Sequence, residues 1–76
     1  MHCEVNISPL MELMRREGVS VYKLSKVSGI TDPALYSIFK GRTYPSLQTL
    51  ARIKCALEVI LGRPVSLDEL VEVRKG

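Results

Sequence analysis

A repeating punctuation governs what this chain can become. Residues able to cap a helix alternate with glycines able to end one: Ser8-Pro9 then Gly18, Ser20 then Gly29, Thr31-Asp32-Pro33 then Gly41, Ser46 then Gly62. A side-chain oxygen at the N-cap accepts a hydrogen bond from an amide that has no partner inside the helix. Proline suits the first turn, and glycine adopts the left-handed conformation that closes the last. Each interval therefore holds one short helix. A final S-x-x-E stretch, Ser66-Leu67-Asp68-Glu69, has the form of a capping box and predicts a fifth.

Hydrophobic spacing within the intervals agrees. Leu10, Leu13 and Met14 follow the i, i+3, i+4 pattern, so the first helix is expected over Pro9 to Glu17 with Ser8 as its cap. Val21, Leu24 and Val27 recur at three along a short second helix. Leu35, Ile38 and Phe39 mark a third, which starts from a Thr31 cap with Pro33 in its first turn or from an Asp32 cap with Pro33 as its first helical residue. Leu47, Leu50, Ala51 and Ile53 open the longest helix, which runs toward Leu61. Leu70, Val71 and Val73 follow the capping box. Glu4 to Ile7 alternates in polarity but is too short to separate a strand from a flexible arm.

With 76 residues there is room for one small domain, which excludes an enzyme with separate cofactor and substrate lobes. Apolar residues make up 46% and charged residues 25%, a globular balance, and the longest aliphatic run, Val59-Ile60-Leu61, is far too short to span a bilayer. Cys3 and Cys55 match no CxxC or Cys/His ligand spacing and, with no signal-like segment at the start, are expected to be reduced thiols of a cytoplasmic protein. The single histidine, His2, stands beside Cys3 without further ligands, which falls short of a metal site. Asp32, the sole acid of the central segment, lacks a second carboxylate for acid–base work. No enzyme activity, metal or cofactor is expected.

The net charge of +3 is modest, but its distribution is not even. Lys23, Lys26, Lys40, Arg42, Arg52 and Lys54 face Asp32 alone within residues 20–54, while both flanks are mildly acidic. An anionic partner for the centre is the sharper reading; a solvated helical face is the plainer one. The second half of the long helix is apolar on more than one side through Ile53, Ala56, Val59, Ile60 and Leu61. A chain this small buries only about 60% of its unfolded surface, so this stretch, with Leu67, Leu70 and Val71 of the fifth helix, is expected to form a homodimer interface.

Two short helices joined by a glycine turn, with Leu24, Ile30, Leu35 and Ile38 as a buried seam, small Ser25 at the crossing and Gly29 where positive φ is wanted, form a helix-turn-helix pattern. The run from Val19 through Leu50, VSVYKLSKVSGITDPALYSIFKGRTYPSLQTL, resembles the phage repressor and Cro-like (XRE) helix-turn-helix family, and the resemblance extends over about residues 9 to 71. It implies an all-α, compact five-helix bundle of the lambda-repressor type. Residues 1–8 would be an N-terminal arm, 9–73 the DNA-binding domain and 74–76 a tail. It further implies a regulator of transcription, most simply a repressor, bound to double-stranded DNA as a homodimer on a pseudo-palindromic operator.

In that family the third helix lies in the major groove, which puts Asp32, Pro33, Ala34, Tyr36 and Ser37 at base edges. Asp32 would accept from cytosine N4, and Pro33 or Ala34 would touch a thymine methyl, although the family often presents Gln, Arg or Ser where this chain has Asp32 and Pro33. Phosphate contacts would come from the helix end and loop residues Val21, Tyr22, Lys23, Lys40, Arg42, Thr43 and Tyr44, with Val21 offering only its main-chain N–H. Met14 and Phe39 occupy positions where related repressors carry an Arg–Glu ion pair, and an apolar contact is expected instead. The competing reading is a protein-interaction or antitoxin-like module that uses the surface of the fourth and fifth helices.

Overall fold

The computed structural model describes residues 3–75; Met1, His2 and Gly76, at the ends of the expected arm and tail, lie outside the described residues. Four α-helices follow one another: α1 (Ser8–Glu17), α2 (Val21–Ser28), α3 (Asp32–Phe39) and α4 (Leu47–Leu61). They are framed by two short strands, β1 (Cys3–Asn6) and β2 (Glu72–Lys75). Three of the four starts use the expected caps: the hydroxyls of Ser20, Thr31 and Ser46 accept from the amides of Lys23, Ala34 and Thr49. Thr31, with Pro33 in the first turn, thus settles where the third helix begins.

The first helix departs from expectation. Ser8 is already helical and supplies no cap; instead the Asn6 side-chain oxygen accepts from the Ser8 amide at 3.1 Å and from its hydroxyl at 2.9 Å. Asn6 is the last residue of β1, so strand and helix are joined without a loop of their own.

The fifth helix is corrected. Leu67–Glu69 makes one 3₁₀ turn, after which the chain extends into β2. Glu69 does reach back to the Ser66 amide at 3.0 Å, as a capping box requires. What stops propagation is the Leu70 carbonyl, which accepts from the Leu10 amide at the start of α1, at 3.0 Å. Beyond it the β-branched Val71 and Val73 favour an extended chain. The all-α, five-helix expectation therefore becomes four helices with a two-stranded sheet.

In that sheet β1 and β2 run antiparallel, with Cys3 opposite Lys75, Glu4 opposite Arg74, Val5 opposite Val73 and Asn6 opposite Glu72. The segment weighed as a flexible arm is a strand. Two strands alone are marginal. This pair is anchored because the Leu10 amide also donates to the Ile7 carbonyl, fixing both strands to one turn of α1.

The core gathers Leu10, Leu13 and Met14 from α1, Leu24 from α2, Ile30, Leu35 from α3, Ile53, Ala56 and Leu57 from α4, and Val65 and Leu70 beyond it. Phe39 is half-buried and packs against this cluster, of which Met14 is a member. The Leu24, Ile30, Leu35 and Ile38 seam is buried as expected. Leu47 is not: at the first position of α4 it is 73% exposed, ahead of the turn where α4 meets the core, and Val27 at the end of α2 also reaches solvent.

The long helix is tied to the chain that follows it. Glu58 accepts from the Val65 amide at 3.0 Å and from the Lys54 ammonium at 2.9 Å. The backbone N–H of Val65 and then the bond from Lys54 hold the Glu58 carboxyl below its ordinary value, and the same bond raises Lys54.

Candidate nucleic-acid interface

The site is assembled from the two helices of the motif and the loop after them. At the start of α2 the Ser20 hydroxyl takes the Lys23 amide at 3.0 Å, while the amides of Val21 and Tyr22 belong to the unpaired first turn of the helix. The Val21 side chain turns inward against the core, so its backbone N–H is what remains for an anion. Tyr22 is exposed, with the Lys26 ammonium 5.3 Å from its ring centroid, one turn along the same face. Lys23 is exposed beside them.

The turn between α2 and α3 is held by side chains as well as by backbone. Gly29, at φ +76, donates its amide to the Ser25 carbonyl at 2.9 Å, and the Ser25 hydroxyl donates to the Ile30 carbonyl at 2.6 Å. The Ile30 amide donates to the Ser28 hydroxyl at 3.1 Å. From outside the motif, Arg52 of α4 donates from Nη2 to the Ser28 carbonyl at 3.2 Å. Ile30 is buried, and α3 begins two residues later.

Along α3, burial of Leu35 and Ile38 dictates what faces out. Pro33 and Ala34 are exposed, Tyr36 is 49% exposed, and Asp32 and Ser37 are half-buried. Asp32 sits in the first turn, where a negative charge favours the helix dipole whatever else it meets. The Ser37 carbonyl accepts from the amides of Arg42 at 2.9 Å and Thr43 at 3.3 Å, folding the loop back onto the end of the helix. Ala34, Ser37, Thr43 and Tyr44 thereby line one open groove together with Thr49 of α4. Lys40, Arg42, Thr43 and Tyr44 are all exposed, and Tyr44, at 70%, projects from the loop rather than packing beneath it.

The pairing of charges sharpens the picture. Arg15, Arg16, Lys54, Arg63 and Arg74 each lie beside a glutamate, namely Glu12, Glu17, Glu58, Glu69 and Glu72. Among the described residues Lys23, Lys40 and Arg42 have no carboxylate partner, and Lys26 has only the Tyr22 ring. Among the described residues, cations without a carboxylate partner thus sit on α2 and on the end of α3 with its loop, and also at Arg52 of α4, which donates to the Ser28 carbonyl, and at Lys75 of β2. Apart from Asp32 on α3, the acidic groups of the described residues lie outside α2, α3 and the loop after them.

Residues expected at a dimer interface divide. Ile53, Ala56 and Leu70 are consumed by the domain's own core, at no more than 3% exposure. Ile60, Leu61 and Val71 are half-buried against it, and Val59 and Leu67 are exposed. Sequence reading missed Arg52, whose partner lies 24 positions away, and Asn6, whose partner Ser8 lies only two positions on and was within reach of a local side-chain-to-backbone signal.

A family model described as helix-turn-helix, of the XRE type, matches residues 10–59, which take in all of α2, α3 and the loop between α3 and α4. The chain belongs to the XRE helix-turn-helix family. No curated protein and no solved structure matches it. XRE-type helix-turn-helix proteins are DNA-binding regulators of transcription, and this one is a DNA-binding regulator with four helices where five were expected. No helix among the described residues is long and apolar enough to cross a membrane.

Proposed function

We propose that the protein is a sequence-specific binder of double-stranded DNA that places α3 in the major groove and acts as a repressor. The observation that carries this reading is the coincidence of Lys23, Lys40 and Arg42, without carboxylate partners, with the exposed outer side of α3. Base contacts fall to Asp32, Pro33, Ala34, Tyr36 and Ser37. Phosphates are met by the amides of Val21 and Tyr22, by Lys23, and by Lys40, Arg42, Thr43 and Tyr44. This division follows the usual one, in which backbone contacts set register and base-edge contacts choose sequence.

The protein acts as a homodimer on a pseudo-palindromic operator, with two recognition helices about 34 Å apart, one DNA turn. The contact draws on Val59 and Leu67, and on the accessible parts of Ile60, Leu61 and Val71, because Ile53, Ala56 and Leu70 are spent inside the domain. Repression follows from occupancy of a site that RNA polymerase also needs.

Selection of bound duplexes from a random pool, followed by sequencing, tests the reading. A recovered inverted repeat with half-sites about one turn apart is the expected result. Recovery of unenriched sequence by a protein with no salt-dependent affinity for DNA would transfer the role to a protein partner on the Val59 side of α4.

A further inference from the structure

The recognition helix is joined to the body of the domain through a turn, and one side chain from outside the motif grips that turn. We infer that Arg52 is a positioning residue for DNA reading, which locks the α2–α3 turn to α4 without touching DNA. The inference rests on the DNA-reading role proposed above.

The last carbonyls of a helix have no intrahelical donors, and a cation near them is favoured by the helix dipole. Arg52 meets both demands at once by donating from Nη2 to the Ser28 carbonyl at 3.2 Å, at the C-terminal end of α2. Its guanidinium also lies against Gly29 so closely that a Cβ there would come within 2.9 Å of Nη2. Gly29 is therefore specified twice, by its positive φ and by the room the arginine takes.

From the gripped carbonyl to the recognition helix the chain has only Gly29, Ile30 and Thr31. Ile30 is buried, and both its carbonyl and its amide are held by Ser25 and Ser28. The serines tie the turn to α2. Arg52 ties it to α4, the longest element of the fold, so that the angle of α3 is set against the whole domain and not against α2 alone.

Arg52 also points away from the groove-facing residues. The open groove in which it sits is lined by Val27, Gln48, Ala51 and Cys55, among others of α2 and α4, and by no residue of α3 or of the loop carrying Lys40, Arg42 and Tyr44. A phosphate bound by those groups lies elsewhere.

The test compares Arg52→Ala and Arg52→Lys with wild type on two duplexes of equal length, one selected by the wild-type protein from a random pool and one unselected, across a salt series. Amide hydrogen exchange is measured in parallel on the free proteins. Arg52→Ala is expected to weaken the selected duplex about fivefold or more, the low end of one lost base contact, while the unselected duplex and the salt slope stay unchanged. Exchange should quicken at Gly29 and Ile30 and not at the buried amides of α1. Arg52→Lys should resemble Arg52→Ala, because a point charge does not reproduce the guanidinium's reach and fork.

The inference is overturned if Arg52→Ala weakens both duplexes alike with the slope reduced by about one and Arg52→Lys restores it, which is the behaviour of a phosphate contact. It is equally overturned if neither affinity nor exchange changes. If wild type binds no DNA, the regulator reading fails separately, and exchange at Gly29 and Ile30 still decides whether Arg52 holds the turn.

Discussion

Gly29 and Glu58 show how much single residues decide here. At Gly29 the backbone is left-handed and the space beyond its α-carbon is occupied by Arg52. Gly29→Ala combines a disfavoured φ with displacement of the guanidinium, and a loss of about 1–3 kcal/mol is expected from the strain alone. A chemical denaturation midpoint indistinguishable from wild type would show that the turn relaxes freely. Glu58 gives a pH signature. Its carboxyl is held low by the Val65 amide and then by Lys54, and that of Glu69 is held low by the Ser66 amide and also by Arg63. Groups with depressed folded values stabilise the native state above their unfolded values and lose that contribution as pH falls through the folded ones. Thermal melts should therefore hold steady near neutrality and fall off as pH drops below about 4.3, the ordinary glutamate value. Glu58→Gln should flatten part of that acid limb, and an unaltered acid limb would remove Glu58 from the account of it.

At the scale of elements, burial ranks what α3 contributes. Leu35 is fully buried and Phe39 only half so. Leu35→Ala should cost about 2–5 kcal/mol, and Phe39→Ala less than the 3–5 kcal/mol typical of a buried phenylalanine. Leu47→Ala, at an exposed helix start, should fall within about 0.5 kcal/mol of wild type. Calorimetric melts of the three give the order, and a Phe39→Ala protein less stable than Leu35→Ala would contradict it. The helix-turn-helix was legible because its information is local: Ser20, Thr31 and Ser46 cap within three residues of themselves, and Gly29 and Gly41 mark the turns. The sheet was not, because the strands come from opposite ends of the chain and four alternating residues carry no record of their partner. The fifth helix misled for a related reason. Its capping box is real, but the Leu70 carbonyl that would continue it is taken by Leu10, some 60 positions earlier. The candidate groups of α3 and its loop were implied by the resemblance to the family, whereas the grip of Arg52 on Ser28 exists only once α4 is folded against α2.

For the whole molecule the arrangement separates tasks. The strands and the first turn of α1 close the chain ends together, α4 supplies the frame, and Lys23, Lys40 and Arg42, without carboxylate partners, lie on the motif while Arg15, Arg16, Lys54, Arg63 and Arg74 are met by glutamates. If Val59 lies at a two-fold contact, Val59→Lys should give a monomer in sedimentation equilibrium. It should also weaken a two-half-site duplex while leaving a single half-site unaffected; an unchanged mass would place the contact elsewhere.

The most direct measurement is a set of binding titrations across a salt series, on the selected and the unselected duplex, for Lys40→Ala, Arg42→Ala, Asp32→Ala and Ser37→Ala beside wild type. Lys40→Ala and Arg42→Ala are expected to weaken both duplexes alike and to lower the log–log salt slope by about one each, since each releases one counterion fewer. Ser37→Ala should leave the slope unchanged and cost about 1–3 kcal/mol on the selected duplex alone. Asp32→Ala follows Ser37→Ala if its carboxylate reads a base, and tightens both duplexes if it only repels phosphate. Wild-type affinity that does not vary with salt on either duplex would contradict the DNA-reading role.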